Sequence, residues 1–131
     1  IGMKIGNKNF KGKRTVLYFY PKDDTPGCTI EAIEFTTLLP RFKALGVDVY
    51  GISRDTAASH EKFCQKHHLG VSLLTASLEE IKKLGILSDS EKSAKRTTFI
   101  LDKKGEVEKR YDNVKAKGHA KAVLTYLRDH S

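Results

Sequence analysis

The segment Thr15–Tyr20 (TVLYFY) constrains the fold of this chain more than any other. Its six consecutive β-branched, aromatic and aliphatic residues offer no polar face. A strand made of them has to be covered on both sides, as in the sheets of α/β proteins. Pro21 ends it, because proline has no N–H to give to a ladder. The stretch Pro21–Gly27 (PKDDTPG) is a loop by composition. From Cys28 the apolar spacing turns helical through Ile30, Ile33, Leu38 and Phe42, to about Leu45. Pro40 is expected to kink or divide this helix, and Gly46 to cap it.

The alternation continues. Val47–Ile52 reads as a second strand. Ser53–Thr56 supplies turn and capping residues for a helix that runs to about His68 and is closed by Gly70. Val71–Leu74 is a short strand and Leu78–Leu84 a short helix stopped by Gly85. Thr97–Leu101 and Glu106–Tyr111 form a hairpin about the turn Asp102–Gly105, and His119–Arg128 is a final amphipathic helix. Strand–helix alternation implies parallel strands with crossover helices, and the hairpin adds an antiparallel edge. The expected fold is a thioredoxin-like α/β three-layer sandwich, with a mixed central sheet flanked by helices.

A length of 131 residues, 39% of them hydrophobic, fits one domain over residues 1–131 with a single core. No apolar run approaches the ~18 residues of a membrane span, and no signal peptide is visible. A cytoplasmic protein is expected. Met3 is preceded by Ile1 and Gly2, so export by a segment trimmed from the N-terminus stays open. The net charge of +8 is spread along the chain without a basic run or interleaved aromatics. This argues for solvated surface over specific nucleic-acid binding. Two cysteines, with no CxxC pair, are too few for a disulfide scaffold.

Cys28 lies just past the carboxyl end of the first buried strand, at a helix start. Ligands of open α/β sheets bind at this edge, and the unpaired N–H groups of a helix N-terminus favour a thiolate. Position alone leaves two readings, a nucleophile or a small buried packing residue.

The string FYPKDDTPGCTIEAIEF resembles the peroxiredoxin signature of proline, three residues, threonine, two residues, cysteine. It resembles most the bacterioferritin comigratory protein or Q-type branch of that family. GISRDTAASHEKFCQKHHL and RTTFILDKKGEV continue the resemblance over nearly the whole chain. Only nine residues precede Phe10, where family members usually carry a longer segment with an extra hairpin.

The resemblance implies a thiol peroxidase acting on hydrogen peroxide and organic hydroperoxides without metal or other cofactor. Cys28 would attack the peroxide. The Thr25 hydroxyl and the N–H groups around Gly27 and Cys28 would be donors to its oxygens. Pro21 would shield the thiolate, Arg96 would supply positive charge, and Glu31 would orient charge. Many members of the branch carry a resolving cysteine five residues after the first, but Ile33 stands there. Cys64, 36 residues on, resembles the resolving cysteine of another subset. An intramolecular Cys28–Cys64 disulfide reduced by thioredoxin is then expected, in a monomer. A one-cysteine enzyme with Cys64 merely packed is the alternative.

Other readings fit the residues less well. A dithiol oxidoreductase needs two cysteines two residues apart, and Thr25 occupies the place of the first. A basic binding module rests only on the charge. His60, Cys64 and His68 recur at the four-residue spacing of a zinc site, but solvated polar residues on an exposed helix face explain them better.

Overall fold

The computed structural model describes residues 3–131. Its centre is a five-stranded sheet. Strands β3 (Arg14–Phe19), β4 (Val47–Ser53) and β5 (Ser72–Thr75) are parallel, and β6 (Thr97–Leu101) and β7 (Val107–Tyr111) extend it antiparallel, in the order β5-β4-β3-β6-β7. The apolar TVLYFY segment is thus the central strand. Its alternate side chains enter separate cores. Val16 and Tyr18 face a core shared with helices α1 (Pro26–Ala44), α2 (Ala57–His67) and α4 (His119–Asp129). Leu17 and Phe19 face a second core holding Ile81 of the short helix α3 (Leu78–Lys83) together with Ile5, Phe10 and Ile86. The three expected layers are present, but the second is largely loop and hairpin rather than helix.

One hairpin was not read from the sequence, and two expectations are corrected. The short N-terminal segment still forms a hairpin, β1 (Lys4–Ile5) with β2 (Lys8–Asn9). Its few residues carry no readable period, and Ile5 and Phe10 anchor it against the sheet. Helix α1 runs unbroken through Pro40. Pro40 is exposed near the last turn, where the packing of Phe35 and Phe42 holds the helix on both sides of it. Helix α2 is ended by His68, which takes the left-handed conformation at φ 53°, and not by Gly70. Gly46 (φ 73°) does follow the end of α1, its N–H donating to the Lys43 carbonyl at 2.9 Å. Among the described residues no helix is long and apolar enough to cross a membrane.

Candidate active site

Tyr20 and Pro21 leave the carboxyl end of β3 at the point where the sheet changes from parallel to antiparallel neighbours, β4 on one side and β6 on the other. Helix α1 begins there. Thr25 is its N-cap and Pro26 its first residue, where the missing N–H is no loss. The N–H groups of Gly27 and Cys28 belong to the first turn and have no intrahelical partner. No acidic side chain lies in that turn to neutralise its positive end.

Cys28 is 1% exposed. Arg96, immediately before β6, brings its guanidinium to it from across the sheet. Nη2 donates to Cys28 Sγ at 3.4 Å, and Nη1 donates to Glu31 Oε1 at 2.9 Å. One planar fork thus spans the sulfur and a buried carboxyl one turn further along α1. Gly27 makes this approach possible, since a Cβ there would stand 3.0 Å from Arg96 Nη2. Burial alone would lower the Arg96 pKa, but Cys28 and then Glu31 outweigh it and raise it above the ordinary value. The guanidinium thus sets a fixed positive charge against the sulfur.

Thr25 and Cys28 sit together as the sequence implied, but the threonine hydroxyl does not cap the helix. It donates to the Lys22 carbonyl at 2.8 Å. Pro21 is half-buried at the end of β3. Cys64 is half-buried on α2 with a free thiol, raised in pKa by burial and then by Asp23. The fully buried phenol of Tyr18 feels both cysteines as well as Glu31 and Asp23.

His60 corrects the sequence reading most. It is buried, not solvated on an exposed face. Its two ring nitrogens meet Asp23 and the Leu74 carbonyl, while His68 has left the helix. Among the described residues no group of three or more His, Cys, Asp or Glu side chains could hold a metal ion.

The family model for the AhpC/TSA family matches residues 1–110. The chain belongs to that family. Its relatives place it among the peroxiredoxins of the Bcp and Q type. It is 39% identical over 127 residues to peroxiredoxin Bcp of Xanthomonas campestris, covering 92% of this chain and 79% of that one. It is 44% identical to the putative peroxiredoxin bcp of Helicobacter pylori, covering 96% and 88%. Among solved structures, the X. campestris bacterioferritin comigratory protein, described for alkyl peroxide reduction, superposes with a TM-score of 0.85 at 35% identity, covering 96% of this chain and 87% of that one. A Xylella fastidiosa PrxQ superposes at 0.86 and 34%, covering 92% and 79%. This peroxiredoxin is a thiol peroxidase, an enzyme that takes a peroxide substrate and a thiol reductant.

Two buried groups beside Arg96 give the peroxiredoxin a pH signature. Burial raises the Glu31 carboxyl from 4.5 to about 7, with Glu34 adding to the rise and Arg96 opposing it. Burial and then Arg96 lower His119 from 6.5 to about 4. A raised carboxyl is destabilising as pH climbs from 4.5 to 7. A depressed histidine is destabilising as pH falls from 6.5 to 4. Across pH 4.5–6.5 the native state therefore holds one proton more at Glu31 and one fewer at His119 than the unfolded chain, and the two slopes cancel. Each alone amounts to about 3 kcal/mol over its window. Urea unfolding at several pH values should find that Glu31→Gln gains stability with rising pH across this window and His119→Asn loses it. Parallel pH profiles in parent and variants would contradict the assignment.

Proposed function

We propose that this peroxiredoxin runs a two-cysteine cycle within one chain. The Cys28 thiolate attacks one peroxide oxygen. An S–O bond forms, the O–O bond breaks, and the departing oxygen leaves as water or an alcohol once protonated. Cys28 is then a sulfenic acid. Negative charge spreads over both oxygens during the attack, so donors placed there in advance lower the barrier. Arg96 Nη2 and the free N–H groups of Gly27 and Cys28 are those donors. Thr25 Oγ accepts the peroxide O–H, because its own proton is held by Lys22. Pro21 keeps solvent from the sulfur.

The observation that carries this reading is the Arg96 fork 3.4 Å from Cys28 Sγ at the positive end of α1. It suits a nucleophile, not a packing cysteine.

The Cys64 thiol then attacks the sulfenic sulfur, expelling water and closing a disulfide. An X. campestris relative has been solved with serine in place of each of two cysteines 36 residues apart. Cys28 and Cys64 have the same spacing, which supports the pairing. The cycle proposed here needs no second chain, in keeping with a monomer. The disulfide is then open to a dithiol reductant of the thioredoxin class.

The test is to treat the reduced protein with one equivalent of hydrogen peroxide, count thiols, and digest without reductant. Loss of two thiols per chain and a peptide linking Cys28 to Cys64 are expected. An unlinked Cys64 beside an oxidised Cys28 would reduce the enzyme to a one-cysteine type.

A further inference from the structure

We propose that Asp23 and His60 are positioning residues that latch the Cys28 loop to helix α2, and so set how fast Cys64 reaches the oxidised Cys28. The proposal rests on the two-cysteine cycle and adds to it a pair of residues that touches neither peroxide nor Cys28.

The Asp23 side chain is only 4% exposed. A carboxylate so buried is tolerated only when its lone pairs are used. Here Oδ1 accepts from the Tyr20 hydroxyl at 2.6 Å, and Oδ2 accepts from the Ser59 hydroxyl at 2.7 Å. His60 Nδ1 lies 2.8 Å from the same Oδ2, and the Asp23 N–H donates to Asp55 Oδ2 at 2.9 Å. The other ring nitrogen, Nε2, lies 3.1 Å from the Leu74 carbonyl, which can only accept. One buried cluster ties together the end of β3, the loop after β4, the first turn of α2, and β5.

Its position in the chain links it to the chemistry. Asp23 lies two residues before Thr25 in the loop that carries Cys28 into its pocket. His60 lies four residues before Cys64, one turn back along the same face of α2. Asp23 also helps hold Cys64 as a thiol. A second, outer cluster joins the same two elements, with Asp24 bonded to Lys66 at 2.7 Å and His67 at 2.8 Å. Its Lys66–Asp24 pair is largely solvent-exposed, where ion pairs contribute little.

The two free thiols sit on separate helices, Cys28 in the first turn of α1 and Cys64 in the C-terminal half of α2, and disulfide closure on this proposal requires the Cys28 loop to part from α2. The latched state holds Cys28 beside Arg96, ready to attack peroxide. The unlatched state lets the Cys64 thiol condense with the sulfenic acid and release water. If the unlatched state is minor, disulfide formation scales with its population while the first attack barely changes. The latch therefore also sets how long the sulfenic acid is open to over-oxidation by a second peroxide.

The test uses His60→Gln, Asp23→Asn and Tyr20→Phe, with Lys66→Ala on the outer pair as control. Tyr20→Phe removes only one bond to Asp23 and serves as the mild variant if the others fold poorly. In the reduced protein, amide exchange over residues 57–64 should rise about tenfold in His60→Gln and Asp23→Asn. Stopped-flow kinetics should show disulfide formation accelerated by a similar factor. The first attack should change less than about threefold, and sulfinic acid yield should fall at high peroxide. Tyr20→Phe should move in the same direction by less, and Lys66→Ala hardly at all. Unchanged exchange and unchanged disulfide formation would overturn the latch, as would attack and disulfide formation falling together. A parent protein that forms no Cys28–Cys64 disulfide would instead end the two-cysteine reading, while the exchange data still judged the latch.

Discussion

Cys28→Ser is expected to abolish peroxide reduction, with a loss on the order of a thousandfold or more in kcat/KM. The hydroxyl of serine stays protonated at neutral pH, and neither Arg96 nor the end of a helix brings it near ionisation. The fold should survive the change. Cys28 is buried at the head of α1, serine is slightly smaller, and Arg96 can donate to its oxygen in place of the sulfur. A thermal melt beside a peroxide-consumption assay separates lost chemistry from lost structure. Near-parental activity in a folded Cys28→Ser protein would remove Cys28 as the nucleophile and leave Arg96 without a task.

Cys64→Ser should produce the opposite division. The first attack should keep its rate, because Cys64 is on a different helix from Cys28 and contributes nothing to the Arg96 fork. Turnover driven by a thioredoxin-class reductant should fall by about tenfold to a hundredfold, since no disulfide forms for the reductant to open. The sulfenic acid should persist long enough for a carbon-acid trap to label it. With excess peroxide, mass spectrometry should find a sulfinic acid at Cys28. Normal turnover in this variant would mean that Cys64 only packs and that the reductant attacks Cys28 directly. The latch formed by Asp23 and His60 would then have no disulfide step to govern.

The frame of this protein was legible in its residues. A six-residue run of β-branched, aromatic and aliphatic residues suits the centre of a sheet covered on both faces, and β3 is that centre. The succession of strands and helices followed, with element ends shifted by a residue or two, because hydrophobic period is a local signal. Cys28 stood out by its place at a helix start, where position alone left two readings, and Thr25 was reached through resemblance. Arg96 was reached only through resemblance. Nothing in its own neighbourhood distinguishes it from a surface arginine at the end of a strand.

Pattern and composition failed where a contact joins residues far apart in the chain. Pro40 was expected to disturb α1, yet packing around Phe35 and Phe42 outweighs the local preference. His60 was read as a solvated polar residue on an exposed helix face, but folding turns it inward onto Asp23, 37 residues away. The orientation of the Thr25 hydroxyl depends on whether the loop presents the Lys22 carbonyl to it. The sequence by itself determined the sheet, its crossover helices and the cysteine at a helix start, since each depends on residues within a few positions of one another. Tertiary structure alone decided how Arg96 is shared between Cys28 and Glu31, and how the Cys28 loop is tied to the helix bearing Cys64. Those arrangements exist only once distant strand ends meet at one edge of the sheet, out of water, where each buried polar group must find its partner.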